Sequence, residues 1–461
     1  MTGVGPTDGR AVTDRDLLRG FARDASGLEL VPESVLRPRD ERDVAEAIAA
    51  AGAAGTTITA AGAQTSTTGA SITDRGALMS LRALARIGEV DPVRRTVRAQ
   101  CGVIVADLRR ACAERGLLFA PDPTSDEDCT VGGAVACNAS GARSYAYGAT
   151  RPHVRALRVA LADGRVEEFR RPQLEKNTAG YLLAQEPVDW FVGSEGTLGV
   201  VLDAEFALLP LPARTTGIAI PFPSEAAALS FVVAARESAS VAPRCLEYTD
   251  AQATGFMRRA AADESWARGA AAMVYVEDSG SDAEAPLERW LALVESCGGL
   301  ADDVRTYEGE AALREARRLR HAVPAAMHER AAPYRALGGR RVSTDWAVPY
   351  RDVAAAIDLS RREAEGRGIE PAVTYGHAGN GHPHQNWVAR DPGELHVMEG
   401  VVEATLRAVI ARGGTVSAEH GIGKLKRRWL PLQLGERQFA AMRALKQALD
   451  PAGTLAPGNL W

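Results

Sequence analysis

The chain has 461 residues, 46% apolar and 25% charged, the profile of a folded globular protein too long for one hydrophobic core, so more than one structural unit is expected. Lys plus Arg number 54 and Asp plus Glu 59, a formal charge of −5, which gives no global attraction for nucleic acid and leaves an anionic substrate to be captured locally. Six scattered cysteines without a CxxC pair argue against a zinc ribbon or dithiol motif, and they read as reduced and mostly buried.

In chain order, RDERDVAEAIAAAGAAG from Arg39 sets Val44, Ile48 and Ala51 at helical spacing behind an acidic first turn, with Gly52 or Gly55 to end the helix. Thr56 to Ala60 reads as a short strand that feeds the Gly/Thr/Ser-rich loop Ala61 to Ala70, and VRALRVALADGRVEEF reads as a hairpin turned at Asp163-Gly164. The Pro-punctuated PLPARTTGIAIPFPSEA marks a boundary, which divides the chain into α+β units at 1–212 and 213–413 and a tail at 414–461. The second unit carries helix candidates at Ser224 to Ser238 and Ala285 to Ser296, a strand at Ala271 to Glu277 and a long amphipathic helix at Pro392 to Gly413. The tail reads as a short strand, a Gly-rich loop and a helix. An N-terminus without an apolar stretch, and no apolar run of 18 residues, predict a cytoplasmic protein that is not integral to a membrane; peripheral membrane contact stays open.

Three segments carry chemistry. The loops Ala61 to Ala70 and Pro121 to Gly141 combine glycines with small hydroxyl residues, so successive N–H groups can converge on phosphate oxygens, although such composition also builds ordinary turns. No G-x-G-x-x-G is present and Gly423-Lys424 is followed by Leu425, so neither Rossmann nor P-loop binding is indicated. In TYGHAGNGHPHQNW three of the eight histidines fall within eight residues, and an extended backbone turns His382, His384 and Asn386 to one face, as a divalent-cation site would require. In TVSAEHGIGKLK, Glu419 and His420 stand before a Gly-x-Gly turn, a carboxylate beside an imidazole.

The order of motifs Pro121-Asp122-Pro123-Thr124, Thr130-Val131-Gly132-Gly133, Asn138-Ala139-Ser140-Gly141, Tyr147-Gly148 and Gly193 to Gly199 resembles the FAD-binding domain of the vanillyl-alcohol oxidase, or PCMH-type, flavoproteins. The resemblance implies a two-subdomain FAD-binding domain, an α+β cap domain with an antiparallel sheet, and a C-terminal tail that returns to the FAD site. It implies a pyrophosphate held by the first loop, through Gly62, Gln64, Thr65, Ser66 and Gly69, and by a Gly132-Gly133 turn. The flavin would lie near Asn138, Ser140 and Gly141 and the adenine near Gly196 and Val200, with Pro121, Thr124 and Asn459 also in contact. No histidine lies in the first loop, so FAD is expected to bind non-covalently, with Cys129 and Cys137 as outside candidates for a covalent link.

G-H-x-G-x-G-x-x-H followed by S-x-E-H-G-I-G resembles the D-lactate dehydrogenase, D-2-hydroxyglutarate dehydrogenase and glycolate oxidase flavoprotein subunit group. The resemblance implies His377, His384 and Glu419 as ligands to a divalent metal (zinc, manganese or iron), His420 as base, Asn386 in contact with substrate and Arg320 on its carboxylate. His382 stands where Asn is common and is open as a further ligand or a supporting group; Asn380 and Pro383 depart from the usual pattern as well. The implied activity is FAD-dependent oxidation of a small 2-hydroxy acid to the 2-oxo acid, by metal-assisted hydride transfer to flavin N5. Electrons would leave to an external acceptor or partner subunit, and a homodimer stays open. The alternatives are a metal-free sugar-acid or aldonolactone oxidase of the same fold and a flavin-free metal-dependent hydrolase.

Overall fold

The computed structural model describes residues 11–461 apart from 262, 264 and 281–285. Where a cap and an apolar stripe coincide, the sequence signals form the element they announce. Asp40 accepts the N–H of Asp43, Val44, Ile48 and Ala51 are buried, and Gly55 at φ 65° closes the Glu41–Ala54 helix. Ser224 caps Glu225–Glu237 in the same way, through the N–H of Ala227. Val154–Ala160 and Val166–Arg170 form the antiparallel hairpin expected around Asp163-Gly164. The strand expected at Thr56 to Ala60 runs Ile58–Ala61, and the helix expected to reach Gly413 ends at Ala411. The start expected at Ala285 lies outside the described residues, and the helix is described from Pro286 to Ser296.

The short strand expected at the head of the tail is reduced to one antiparallel bridge between Ala347 and Thr415. Here the Thr415 hydroxyl donates to Ser417 O at 3.1 Å and accepts the Ser417 N–H at 3.3 Å, so local side-chain bonding competes with a ladder.

The chain divides into two compact units. The first comprises the described part of Met1–Gly141, with Gly148–Leu211 and Glu419–Trp461; the second comprises Ala142–Tyr147 and Pro212–Ala418. In the first unit one sheet has the order Ala11–Val12, Ser34–Leu36, Ala77–Ser80, Ile58–Ala61, with the last three strands parallel. A second, antiparallel sheet has the order Thr96–Gln100, Val200–Ala207, Val154–Ala160, Val166–Arg170. Phe119 and Phe206 meet edge to face at 5.0 Å in the core beneath it. After the helical stretch Leu430–Leu449, broken by Gly435 at φ 69°, the tail returns, and Leu455 bridges Ile58 in parallel beside the first loop.

The second unit is built on a seven-stranded antiparallel sheet ordered Arg305–Glu308, Thr216–Phe222, Ala272–Asp278, Pro243–Thr249, Val373–His377, His382–Ala389, Arg340–Ser343. Every residue of Ala272–Asp278 is buried, which accounts for the unbroken apolar run in the sequence at an interior strand. Leu319, Val323 and Met327 of the Gly309–Ala331 helix join Met273 and Tyr275 in one core cluster. That helix also carries Arg320. Among the described residues no helix is long and apolar enough to cross a membrane.

Candidate active site

In the second unit the histidine segment folds as a hairpin. Its register sets His377 opposite His382, Tyr375 opposite His384 and Val373 opposite Asn386. The reversal between the strands is made by Ala378–Asn380 and Gly381 at φ 75°, where a Cβ would come within 1.8 Å of Val348 O. Only glycine satisfies both demands. Ring centroids of His377 and His382 lie 5.6 Å apart, those of His377 and His384 5.4 Å, and those of His382 and His384 4.5 Å.

Each of these rings has an acceptor at Nδ1. His377 faces Glu247 Oε1 at 2.6 Å, His382 faces Trp346 O at 2.7 Å, and His384 more loosely faces Thr344 O at 3.4 Å. An acceptor at Nδ1 places the proton there and leaves Nε2 as the ligating nitrogen, the arrangement that supports imidazoles around a metal. The donor set therefore fits a divalent cation. Asn386 is 1% exposed; its amide interacts with the Tyr375 phenol and has no closer hydrogen-bond partner among the described residues. A buried amide left in that state suits a polar ligand.

Glu247 was not singled out by the sequence, where it lies in the unremarkable strand PRCLEYT. Its second oxygen, Oε2, accepts from Arg320 Nη2 at 2.5 Å. Arg320, expected on a substrate carboxylate, thus already has an anionic partner, and the charge pair ties the Gly309–Ala331 helix to the histidine hairpin. Burial works against the Arg320 charge, but Glu247, Cys245, Tyr275 and Glu277 together outweigh it and raise the pKa.

In the first unit, no carbonyl or side chain among the described residues accepts from the backbone N–H groups of Gly62 through Thr67. Gln64 adopts φ 57° within this stretch, and its Nε2 donates to Phe21 O at 2.9 Å and Arg23 O at 3.1 Å, which anchors the bend. Six successive amide donors in a bent loop fit a pyrophosphate. The expected Gly132-Gly133 turn is instead the first turn of the Val131–Cys137 helix. The two N–H groups are taken by Cys101 O at 2.8 Å and Thr130 Oγ1 at 3.3 Å, because the Thr130 N-cap starts a helix where two glycines suggest a turn. Asn138 ends that helix at φ 49° and accepts the Arg151 N–H at 2.9 Å. Gly141 passes so close to Asp122 that a Cβ would lie 1.8 Å from its carbonyl oxygen. Arg109 holds the Pro121–Cys129 stretch from behind, donating to Pro121 O at 2.7 Å and Asp126 Oδ2 at 2.5 Å.

The returning tail is stitched to these loops. Ser140 Oγ donates to Glu419 Oε1 at 3.2 Å, and Thr68 Oγ1 to His420 O at 3.3 Å. Glu195, at φ 51° and buried, accepts the N–H groups of Ile422 at 2.6 Å and Gly423 at 2.7 Å. Burial pushes its carboxyl up against those bonds. Asn459 donates to Ala70 O at 2.9 Å and Glu195 O at 3.2 Å and accepts from Lys424 at 2.7 Å, so its amide clamps the loops rather than reaching outward. Burial pushes Lys424 down to about 8. Glu195 and Lys424 lay inside recognised motifs, but only the fold reveals them as the clamp. Gly196 turns at φ 74° before the Val200–Ala207 strand, and a cavity of about 420 Å³ there is lined by Trp190, Gly193, Thr197, Leu198, Met442 and Trp461. Burial lifts the thiols of Cys129 to about 11 and Cys137 to about 12, so neither is a thiolate nucleophile near neutral pH.

Residues 211–460 match the family of FAD linked oxidases, C-terminal domain, and residues 32–170 match an FAD binding domain. The chain is 31% identical over 94% of its length to glycolate oxidase subunit GlcD of Bacillus subtilis, covering 89% of that protein. It is 32% identical over 85% of its length to a D-lactate dehydrogenase of Archaeoglobus fulgidus, covering 83% of it. The solved structure of an alkyldihydroxyacetonephosphate synthase superposes with a TM-score of 0.72 over 98% of this chain and 84% of the other at 17% identity, a likeness of fold.

Proposed function

The chain belongs to the FAD-linked oxidases, and on that premise we propose that it oxidises a small 2-hydroxy acid of the D-lactate or glycolate kind to the 2-oxo acid. The observation that carries this reading is the histidine hairpin, with its three oriented imidazoles and the buried Asn386 amide on the same strand. A flavin oxidase that needs no cation gives those imidazoles no chemical task. The names of the relatives, which concern glycolate and D-lactate, support the substrate class.

FAD, when bound, supplies the hydride acceptor, and the amides of Gly62 through Thr67 hold its phosphates. A divalent cation would be held by His377, His384 and Glu419 and would draw charge from the substrate's oxygens. His420, as a neutral imidazole, accepts the hydroxyl proton. Asn386 orients the substrate by its amide, and Arg320 keeps guanidinium donors beyond the one committed to Glu247 with which to meet a carboxylate. The raised thiols of Cys129 and Cys137 favour non-covalent FAD. Electrons leave to an external acceptor or partner subunit, in keeping with a relative that is named as a subunit. His420→Ala is expected to retain flavin but to slow its anaerobic reduction, followed near ~450 nm, by ~10²-fold or more. An unchanged rate would remove His420 from this role.

A further inference from the structure

Asp345 stands between Thr344 and Trp346, the residues whose carbonyls hold His384 and His382. It is 2% exposed, and its Oδ2 accepts the Ser417 hydroxyl at 2.7 Å. Its Oδ1 lies 3.4 Å from His382 Nε2, the nitrogen that the Trp346 hydrogen bond at Nδ1 leaves as a lone-pair donor. One ligand atom from each of Asp345, His382 and His384 falls within 4.8 Å of the other two. A carboxylate oxygen and an imidazole lone pair that face each other away from water repel unless positive charge lies between them. Two imidazoles and one carboxylate are a common ligand set for zinc, manganese or iron.

We infer that Asp345, His382 and His384 form a divalent-cation site contained wholly within the second unit. It shares the one ligating nitrogen of His384 with the ligand set proposed above, so the two sets are alternative positions for a single ion; it rests on that reading only there, and neither Glu419 nor any other tail residue is needed. The Asp345 backbone supports the assignment, since its carbonyl accepts the Ala418 N–H at 2.8 Å and so fixes the last residues of the unit beside the carboxylate.

The test uses the full-length, flavin-loaded protein, stripped with EDTA, desalted and titrated with Co²⁺ by calorimetry and visible absorption. Glu419→Ala is expected to retain one Co²⁺, and adding Asp345→Asn or His382→Gln is expected to weaken that binding by on the order of 100-fold or more, since ligand loss should exceed the effect of losing a supporting contact. Loss of Co²⁺ binding in Glu419→Ala, with Asp345→Asn alone unaffected, overturns this site and leaves the His377/His384/Glu419 set standing. Retention in Glu419→Ala with loss in Asp345→Asn supports this site and sinks the earlier set. Affinity unchanged when Asp345→Asn or His382→Gln is added to Glu419→Ala overturns the inference, with flavin content and melting temperature certifying that each variant is folded.

Discussion

Glu247 uses one carboxylate to orient His377 and to neutralise Arg320. Glu247→Gln keeps the shape but weakens both bonds, so Co²⁺ affinity is expected to fall ~10–100-fold, the usual cost of losing a contact behind a metal-bound imidazole. Affinity unchanged by the substitution would mean that His377 does not need this orientation. Asp250 offers a pH test. Burial raises its carboxyl to about 6 from an ordinary 3.8, against bonds from the Ala253 and Thr374 N–H groups. The folded protein therefore holds this proton more tightly than the unfolded chain. Its contribution to stability is complete below about 3.8 and is lost as pH rises through about 6, on the order of 3 kcal/mol at 1.36 per pH unit. Asp250→Asn should flatten that part of a urea-unfolding profile between pH 4 and 7; a slope identical to wild type would contradict the assignment. At this scale the histidines could be singled out by their close spacing, and Glu419 and His420 only through the motif that resembles a known group. Glu247 and Asp345 were not, because a single acid in a strand or turn carries no periodic signal, and its meaning depends on a partner distant in sequence.

The hairpin around the histidines depends on its reversal. Gly381→Ala places a Cβ against Val348 O at a positive φ, so a loss of about 1–2 kcal/mol from the left-handed backbone alone is expected, with more from the displaced carbonyl. Thermal denaturation should register a lower melting temperature, and an unchanged one would show that the turn yields freely. Elements with both a cap and an apolar stripe, such as Glu41–Ala54 and Glu225–Glu237, could be read in advance almost to their ends. The Val131–Cys137 helix could not, because its paired glycines have low helix propensity and only the Thr130 cap and the packing of Val131, Ala134 and Val135 override them. The missing strand at Thr415 is the reverse case, where apolar and β-branched residues promised a ladder and hydroxyl bonding dissolved it.

The first unit closes only when its far end returns, since Glu195 on Ile422 and Gly423, Lys424 on Gly69 and Asn459 on Glu195 join segments more than 200 residues apart. The motif order made the flavin fold legible, but the clamp rests on long-range contacts that no local pattern encodes. Because FAD would bind the folded loops and not the unfolded chain, added FAD at 100 times its Kd should stabilise the apoprotein by about 2.7 kcal/mol, read as a higher melting temperature; no shift would argue against a flavin site. The central claim is metal-assisted oxidation of a 2-hydroxy acid on a flavin. Its most direct test is anaerobic mixing of the purified yellow protein with a panel of D- and L-2-hydroxy acids while absorbance near ~450 nm is followed, before EDTA, after EDTA and after return of a divalent metal. The account predicts bleaching by at least one small 2-hydroxy acid, loss of that bleaching after EDTA and its recovery with metal. Protein without flavin absorbance, or bleaching indifferent to EDTA, would contradict it.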